Sequence, residues 1–313
     1  MSVLPAAPVR PSLNAHLFAS GCPDTLRHLI LDIGRAAKYI QSALRTTEAG
    51  LSGKHNQFGE EQLKLDVVSD DILRKHLLES HLVAAFASEE QDALVTLDAS
   101  LPYTVVFDPL DGSSLVDANF AIGSIFGIYP GHGFEGRCPR DQIAAIYCIY
   151  GPRTMLVYST GHGVHAFLLN DVGEFVLLRE YLGIADTAKN YSPGNLRALH
   201  DNPGYAALMQ TWLNESLTLR YSGCMVADLH HILSKGQGIF SNVGGSSYPE
   251  GKLRLVFECG PFAYLFEQAG GAASNGHEHV LDVRMRTIDQ RTPFIAGSTR
   301  EVERACRQLN KKS

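Results

Sequence analysis

Residues 107–114 read FDPLDGSS: two carboxylates three positions apart, a proline between them, then a glycine and two hydroxyls. The preceding PYTVV (102–106) is β-branched and aromatic, which places Asp108 at the end of a buried strand. Pro109 has no backbone N–H and is expected to stop the ladder there. Gly112 permits a tight turn, after which Ser113 and Ser114 can present backbone N–H groups. Acids beside free N–H groups suit a device that holds a cation and a phosphate together. The same residues also suit an Asx-type turn that merely ends a strand.

The neighbouring segments bear on that choice. LVAAFASEE (82–90) reads as a strand that runs out at Glu89 and Glu90, and KLRLVFE (252–258) as another that ends at Glu258. Were the first of these a parallel neighbour of the Asp108 strand, its acids would reach the same sheet edge, where open α/β sheets hold ligands. Oxygen-only ligands suit a hard cation, and Mg²⁺ would keep waters and bridge to a substrate phosphate. The GHEHV stretch, with His277 and His279, lacks the spacing of a helical H-E-x-x-H zinc site. GHGFEG (131–136) fits a dinucleotide-binding glycine pattern, but Pro130 and Pro139 flank it where the required helix would start.

Farther out, residues 23–45 place Leu26, Leu29, Ile30, Ile33, Ala37, Ile40 and Leu44 on one helical face. Residues 46–62 read as a mobile loop, and Ser69 as the cap of a helix over 69–80. Four apolar runs between Ile143 and Leu178, separated by glycine-containing turns, predict an antiparallel sheet. Further helices are expected from Asn202–Pro203, over 225–235 ending at Gly236, after the 252–258 strand, and over 299–312. The class is mixed α and β, with interleaved layers and two subdomains around one cleft.

Bulk properties narrow the function. The chain has 313 residues, a net charge of −6, and 45% apolar against 19% charged residues. That balance argues against extensive disorder and against nucleic acid as the main partner. Six cysteines form no C-x-x-C pair and suit free thiols. The proline-interrupted start has no signal-peptide core, and no apolar run approaches the roughly 20 residues that span a bilayer. The expectation is a soluble, cytoplasmic protein without membrane contact.

The motifs also carry a family resemblance. DPLDGSS resembles the signature of the lithium-sensitive, metal-dependent sugar and inositol phosphatases. GEEQLKLD, ASEE, FDPLDGSS, SPGN, RYSGCMVAD and GKLRLVFEC then follow in the order found in fructose-1,6- and sedoheptulose-1,7-bisphosphatases. The resemblance covers nearly the whole chain and implies a layered α-β-α-β-α sandwich, with an arm over 1–20, a metal- and phosphate-binding subdomain over 21–180 and a sugar-binding subdomain over 181–313. It implies Mg²⁺, two or three ions per site, held by Glu89, Glu90, Asp108, Asp111, Glu258 and the Leu110 carbonyl. Glu90 and Asp66 would orient and deprotonate the attacking water. Glu60 would assist from the mobile loop, where the family has an aspartate. Asp111, Gly112, Ser113 and Ser114 would line the 1-phosphate. Asn195, Arg220, Tyr221, Met225 and Lys252 would hold the sugar and its distal phosphate, with Arg220 reaching in from a neighbouring subunit of a homo-oligomer.

Details of the resemblance lean toward the sedoheptulose branch: DGSSLVDANFAIGSIFGIYPG, YGPRT, SPGNLRA and GIFSNV look like that enzyme. Fructose bisphosphatases carry a tyrosine where this chain has Asn242, and the smaller side chain would leave room for a seven-carbon sugar. The implied reaction is hydrolysis of the 1-phosphate of sedoheptulose 1,7-bisphosphate by a metal-activated water. The alternatives are a fructose-1,6-bisphosphatase, a dual-specificity enzyme, or a catalytically inactive sugar-phosphate binder. The loop cysteine pair of the chloroplast enzymes is missing, and Pro102 replaces the lysine that accompanies Tyr103 in AMP-binding relatives, so neither form of regulation is expected.

Overall fold

The computed structural model of the chain describes residues 10–46, 50–55 and 61–311. Seven α-helices lie among them: α1 (Leu13–Ala19), α2 (Asp24–Thr46), α3 (Lys64–Ser80), α4 (Pro203–Asn214), α5 (Met225–Lys235), α6 (Gly260–Gln268) and α7 (Thr299–Leu309). They sandwich two sheets. The eight-stranded sheet runs, in spatial order, Phe175–Arg179, His165–Leu169, Met155–Ser159, Ala144–Tyr150, Ile122–Pro130, Tyr103–Asp111, Val83–Ser88, Val95–Thr96. The five-stranded sheet runs Thr218–Leu219, Asn190–Gly194, Ile239–Asn242, Phe294–Gly297, Ala272–Ser274.

Strand alternation sorts side chains into three cores. Phe86, Val105, Phe107, Phe126 and Ile146 face α1, α2 and α3. On the opposite face Val106, Ile125, Tyr147 and Val157 meet α5, α6 and the inner face of the second sheet through Phe240, Phe294 and Ala296. The outer face of that second sheet, Tyr191, Ile239 and Ile295, packs on α4 and α7. The result is the expected α-β-α-β-α stack. On α2 the periodic positions Leu26, Leu29, Ile30, Ile33, Ala37 and Ile40 are all buried, and each large one contributes roughly 1.5–3 kcal/mol.

Several local expectations change. The Tyr103–Asp111 strand does not stop at Pro109 but runs two residues farther. Its register against Ile122–Pro130 breaks between Asp108 and Asp111, so the proline sits in a bulge, where the missing N–H costs no ladder bond. The Ile122–Pro130 strand itself carries no strong alternation and was not expected from the sequence. Glu258 does not end a strand: only Leu253–Arg254 pairs, with Arg291–Thr292, and Leu255–Cys259 then coils into a π-helical turn leading into α6. The second helix starts five residues before Ser69, which lies buried inside it, because the Asp66 carboxylate accepts the Leu63 N–H (3.0 Å) and caps the first turn. Part of the segment read as a loop is an antiparallel pair, Leu51–His55 with Glu61–Leu63. Within the segment read as an arm, Ser12 caps α1.

Candidate active site

Val83–Ser88 and Tyr103–Asp111 are parallel neighbours, with Ser88 opposite Phe107. Both strands therefore deliver their terminal acids to one edge, and the Glu89 N–H donates to the Phe107 carbonyl (3.1 Å). Asp108, Asp111 and Glu258 converge there, each offering one oxygen within 4.8 Å of the others. The Leu110 N–H donates to Asp108 Oδ1 (2.9 Å), which fixes that carboxylate. Glu258 Oε2 accepts the Arg254 N–H (2.6 Å) across its own helical turn. Asp111 Oδ2 accepts the Val226 N–H (2.6 Å) at the start of α5, where the helix dipole favours an anion.

These acids are strained electrostatically. Burial, and then Glu89, Asp111 and Glu258, hold the Asp108 carboxyl well above its usual range. Burial and then Glu89 and Asp111 do the same to Glu258, while Asp111 is pushed up mainly by burial. Several carboxylates cannot ionise together in so small a volume without a compensating positive charge. A donor set made only of oxygens, around a site short of cations, fits a hard divalent ion. One cation is built in: Arg254, 2% exposed, places Nε 3.2 Å from Glu89 Oε1.

The residues after Asp111 form the turn that the sequence suggested. Gly112 has φ +82°, and a Cβ on it would meet Cys224 Sγ at 2.8 Å, so both conformation and space require glycine. Ser113–Leu115 make a short 3₁₀ turn near Asp66, whose own carboxyl is raised by burial. Glu90 follows Glu89 with its N–H on the Ser88 hydroxyl (3.2 Å). Glu60 lies outside the described residues.

The residues read as sugar ligands lie at and beyond the ends of the second sheet's strands and on neighbouring segments. Asn195 follows the Asn190–Gly194 strand in a left-handed conformation and donates its amide to the Val243 carbonyl (2.7 Å). Asn242 ends the parallel neighbour, opposite Gly194, and its amide oxygen is buried with no partner among the described residues. Lys252 Nζ lies 4.9 Å from the centre of the Tyr248 ring. Met225 is buried at the first position of α5, and the same chain segment carries the exposed Arg220 and Tyr221. The Arg220 backbone N–H donates to the Tyr191 carbonyl (2.9 Å), and its guanidinium reaches the Leu219 carbonyl (2.9 Å).

Two contacts escaped the sequence reading. Cys224 Sγ lies 3.0 Å from Asp111 Oδ2, and Arg254 serves as the internal counter-ion. Arg254 had a signal: a basic residue inside the apolar run LRLVFE implies a buried partner. Cys224 had none, because only the fold brings it to Asp111.

Sequence profiles of known families match the chain in two adjoining parts: fructose-1-6-bisphosphatase, N-terminal domain, over residues 13–180, and fructose-1-6-bisphosphatase, C-terminal domain, over residues 184–310. A fructose-1,6-bisphosphatase class 1 from Syntrophotalea carbinolica is 45% identical over 295 residues, covering 94% of this chain and 92% of its own. The chloroplastic sedoheptulose-1,7-bisphosphatase of Spinacia oleracea is 41% identical over 297 residues, covering 94% of this chain and 76% of its own. The crystal structure of Leishmania major fructose-1,6-bisphosphatase in holo form superposes with a TM-score of 0.92 at 30% identity, covering 97% of this chain and all of that one. The chain belongs to the fructose-1,6-bisphosphatase family, hydrolases that remove phosphate from a sugar bisphosphate.

Proposed function

We propose that the chain hydrolyses the 1-phosphate of sedoheptulose 1,7-bisphosphate, releasing sedoheptulose 7-phosphate and inorganic phosphate, with Mg²⁺ as the resident cation. The observation that carries the substrate choice is Asn242: a short side chain with an unsatisfied buried amide oxygen stands where fructose bisphosphatases carry tyrosine. An unpaired buried acceptor costs about 1–3 kcal/mol, and a sugar hydroxyl from a longer substrate would relieve it. The spinach relative, a sedoheptulose-1,7-bisphosphatase by name, supports the same reading.

Glu89, Glu90, Asp108, Asp111, Glu258 and the Leu110 carbonyl would hold the metal. When bound, such a cation acts as a Lewis acid that makes water more acidic and offsets phosphoryl charge. The Gly112–Ser114 turn cradles the 1-phosphate through backbone N–H groups and hydroxyls. Asp66 and Glu90 orient the attacking water, and Asp66, its carboxyl raised by burial, is suited to take the proton. Lys252 and a partner subunit's copy of Arg220 bind the distal phosphate, which makes the working unit a homo-oligomer. All the metal ligands but Glu258, and the 1-phosphate groups, then belong to a subdomain over 21–180, and the sugar and distal-phosphate groups to one over 181–313. Among the described residues no helix is long and apolar enough to cross a membrane, in keeping with a cytoplasmic enzyme.

A second reading, fructose-1,6-bisphosphatase or dual specificity, is favoured by the class 1 relatives at 43–45% identity. Tyr248, close in sequence to Asn242 and already beside Lys252, could serve in place of the missing tyrosine. Phosphate release from both bisphosphates, measured side by side as kcat/KM, decides. A ratio favouring the seven-carbon sugar supports the proposal, and a ratio favouring the six-carbon sugar overturns it.

A further inference from the structure

Helix α3 carries a second buried carboxylate one turn after Asp66. Asp70 is 3% exposed, and both of its oxygens are taken: Oδ1 accepts the Ser88 hydroxyl (2.6 Å) and Oδ2 accepts the Gln91 side-chain amide (2.6 Å). Ser88 is fully buried, and its oxygen in turn accepts the Glu90 N–H (3.2 Å). The Gln91 N–H closes the turn onto the Ser88 carbonyl (3.1 Å). Glu89 and Glu90 are therefore the two middle residues of a turn whose ends, Ser88 and Gln91, are both fastened to one side chain on another element. Arg74 approaches Asp70 from the next turn of α3 (3.9 Å) without displacing either bond.

We propose that Asp70 is a positioning residue of the metal centre, clamping the Ser88–Gln91 turn so that Glu89 and Glu90 are presented to the cation before it binds. The inference rests on the reading of Glu89 and Glu90 as metal ligands. Asp70 touches neither ion nor substrate. It acts through two charge-assisted hydrogen bonds, and losing such outer partners typically costs 10–100-fold in metal affinity. Asp66 and Asp70 are four positions apart and so share a face of α3. One rigid helix then carries Asp66 beside the serine turn and fixes the glutamate turn through Ser88 and Gln91.

The geometry makes a specific swap informative. In Asp70→Asn one acceptor becomes an N–H₂ donor, so the Gln91 amide must turn its oxygen inward to keep a bond, and both bonds lose their charge assistance. Adding Gln91→Glu restores a charged acceptor there, with the carbonyl of the new amide still accepting from Ser88, and leaves the net charge of the pair unchanged. Mg²⁺ binding to substrate-free protein, measured by calorimetry, is the readout, with half-saturating Mg²⁺ for turnover alongside it. Expected are a 10–100-fold weaker Mg²⁺ affinity in Asp70→Asn, a smaller loss in Ser88→Ala, and recovery to within about threefold of wild type in Asp70→Asn/Gln91→Glu. A general packing role for Asp70 would lower the melting temperature without the swap restoring affinity. Unchanged Mg²⁺ affinity in Asp70→Asn, or no recovery in the double variant, overturns the inference while the wild type still binds Mg²⁺. A wild type that binds no Mg²⁺ overturns the metal reading as well. Ser88→Ala, which removes only a hydroxyl, supplies the same comparison should Asp70→Asn fail to fold, and wild-type affinity in it would count against the clamp.

Discussion

The two groups of candidate site residues are built on opposite terms. Around the end of the Tyr103–Asp111 strand four buried or part-buried acids are held by the chain itself: Asp108 by the Leu110 N–H, Asp111 by Val226, Glu258 by Arg254, Asp66 by Leu63. Among the groups read as sugar ligands, Asn195 is fixed to the Val243 carbonyl, but Arg220 and Tyr221 are exposed, Lys252 rests on a tyrosine ring, and the Asn242 oxygen is unpaired among the described residues. The first group is pre-organised at the cost of packed negative charge. The second leaves its other polar groups free for a ligand and a neighbouring chain. Chemistry common to a family needs fixed atoms, whereas substrate choice can be retuned only where groups are not already committed.

The contrast predicts where substitutions hurt most. Asp111→Asn removes one charge from the fixed group while the Val226 and Cys224 contacts can persist through its carbonyl oxygen. Turnover should fall on the order of a hundredfold or more with folding preserved, because one preorganised electrostatic element is lost. Glu89→Gln should behave alike. A folded Asp111→Asn protein with near-normal turnover would break the comparison at its strongest point.

The same contrast explains what the sequence disclosed. Acids at the ends of apolar strands are legible because strand burial and a charged terminus conflict unless the charge has a use. Thus Asp108, Asp111 and the ASEE acids stand out, and the mixed α and β class follows from the periodicities, while the order of the layers came from the family resemblance. Less legible was anything that depends on a neighbour distant in sequence. Pro109 reads as a strand stop because its bulge is visible only once the Ile122–Pro130 partner is present. Glu258 reads as a strand end because no local signal marks a π-helical turn before Pro261. Asp70 reads as an ordinary polar position on a helix, and only the packing of α3 against the Ser88 turn gives it partners.

In the adaptable group, Asn242→Tyr fills the space beside Gly194, whose backbone already lies close to the Asn242 side chain. The seven-carbon substrate should lose more kcat/KM than the six-carbon one, shifting the ratio by about 10- to 200-fold. An unchanged ratio would place the selectivity elsewhere, with Lys252 and Arg220 as the remaining determinants. A milder effect probes the shared subunit boundary. Equal amounts of Arg220→Ala and Asp111→Asn chains, each nearly inactive alone, should form mixed dimers with one complete site. Random pairing restores about a quarter of the wild-type activity. Mixed oligomers verified by mass but still inactive would show that Arg220 serves its own chain.

The smallest expected effect concerns stability and returns to the crowded acids. Asp108 and Glu258 are held well above their usual values of 3.8 and 4.5, by burial first and by neighbouring carboxylates second. In metal-free protein the folded chain therefore retains protons that the unfolded chain releases. Below those usual values both states are protonated and the acids cost nothing. As pH rises past them the unfolded state ionises freely, so stability falls with increasing pH until the folded groups ionise as well. Mg²⁺ binds the ionised folded form and should offset this loss, so its stabilisation grows with pH. At a hundredfold excess over its dissociation constant a ligand adds about 2.7 kcal/mol, and at about 2.1 cal/mol/K of unfolding entropy per residue each kcal/mol raises the melting temperature of a chain this long by roughly 1.5 °C. Melting temperatures of chelator-stripped protein between about pH 5 and pH 8, with and without Mg²⁺, test the sign. The increment should be several degrees at the alkaline end and small at the acid end. An increment that is equal throughout, or larger in acid, would mean that the carboxylates are already compensated by Arg254 and the α5 N-terminus, and the two groups would differ less than their hydrogen bonds suggest.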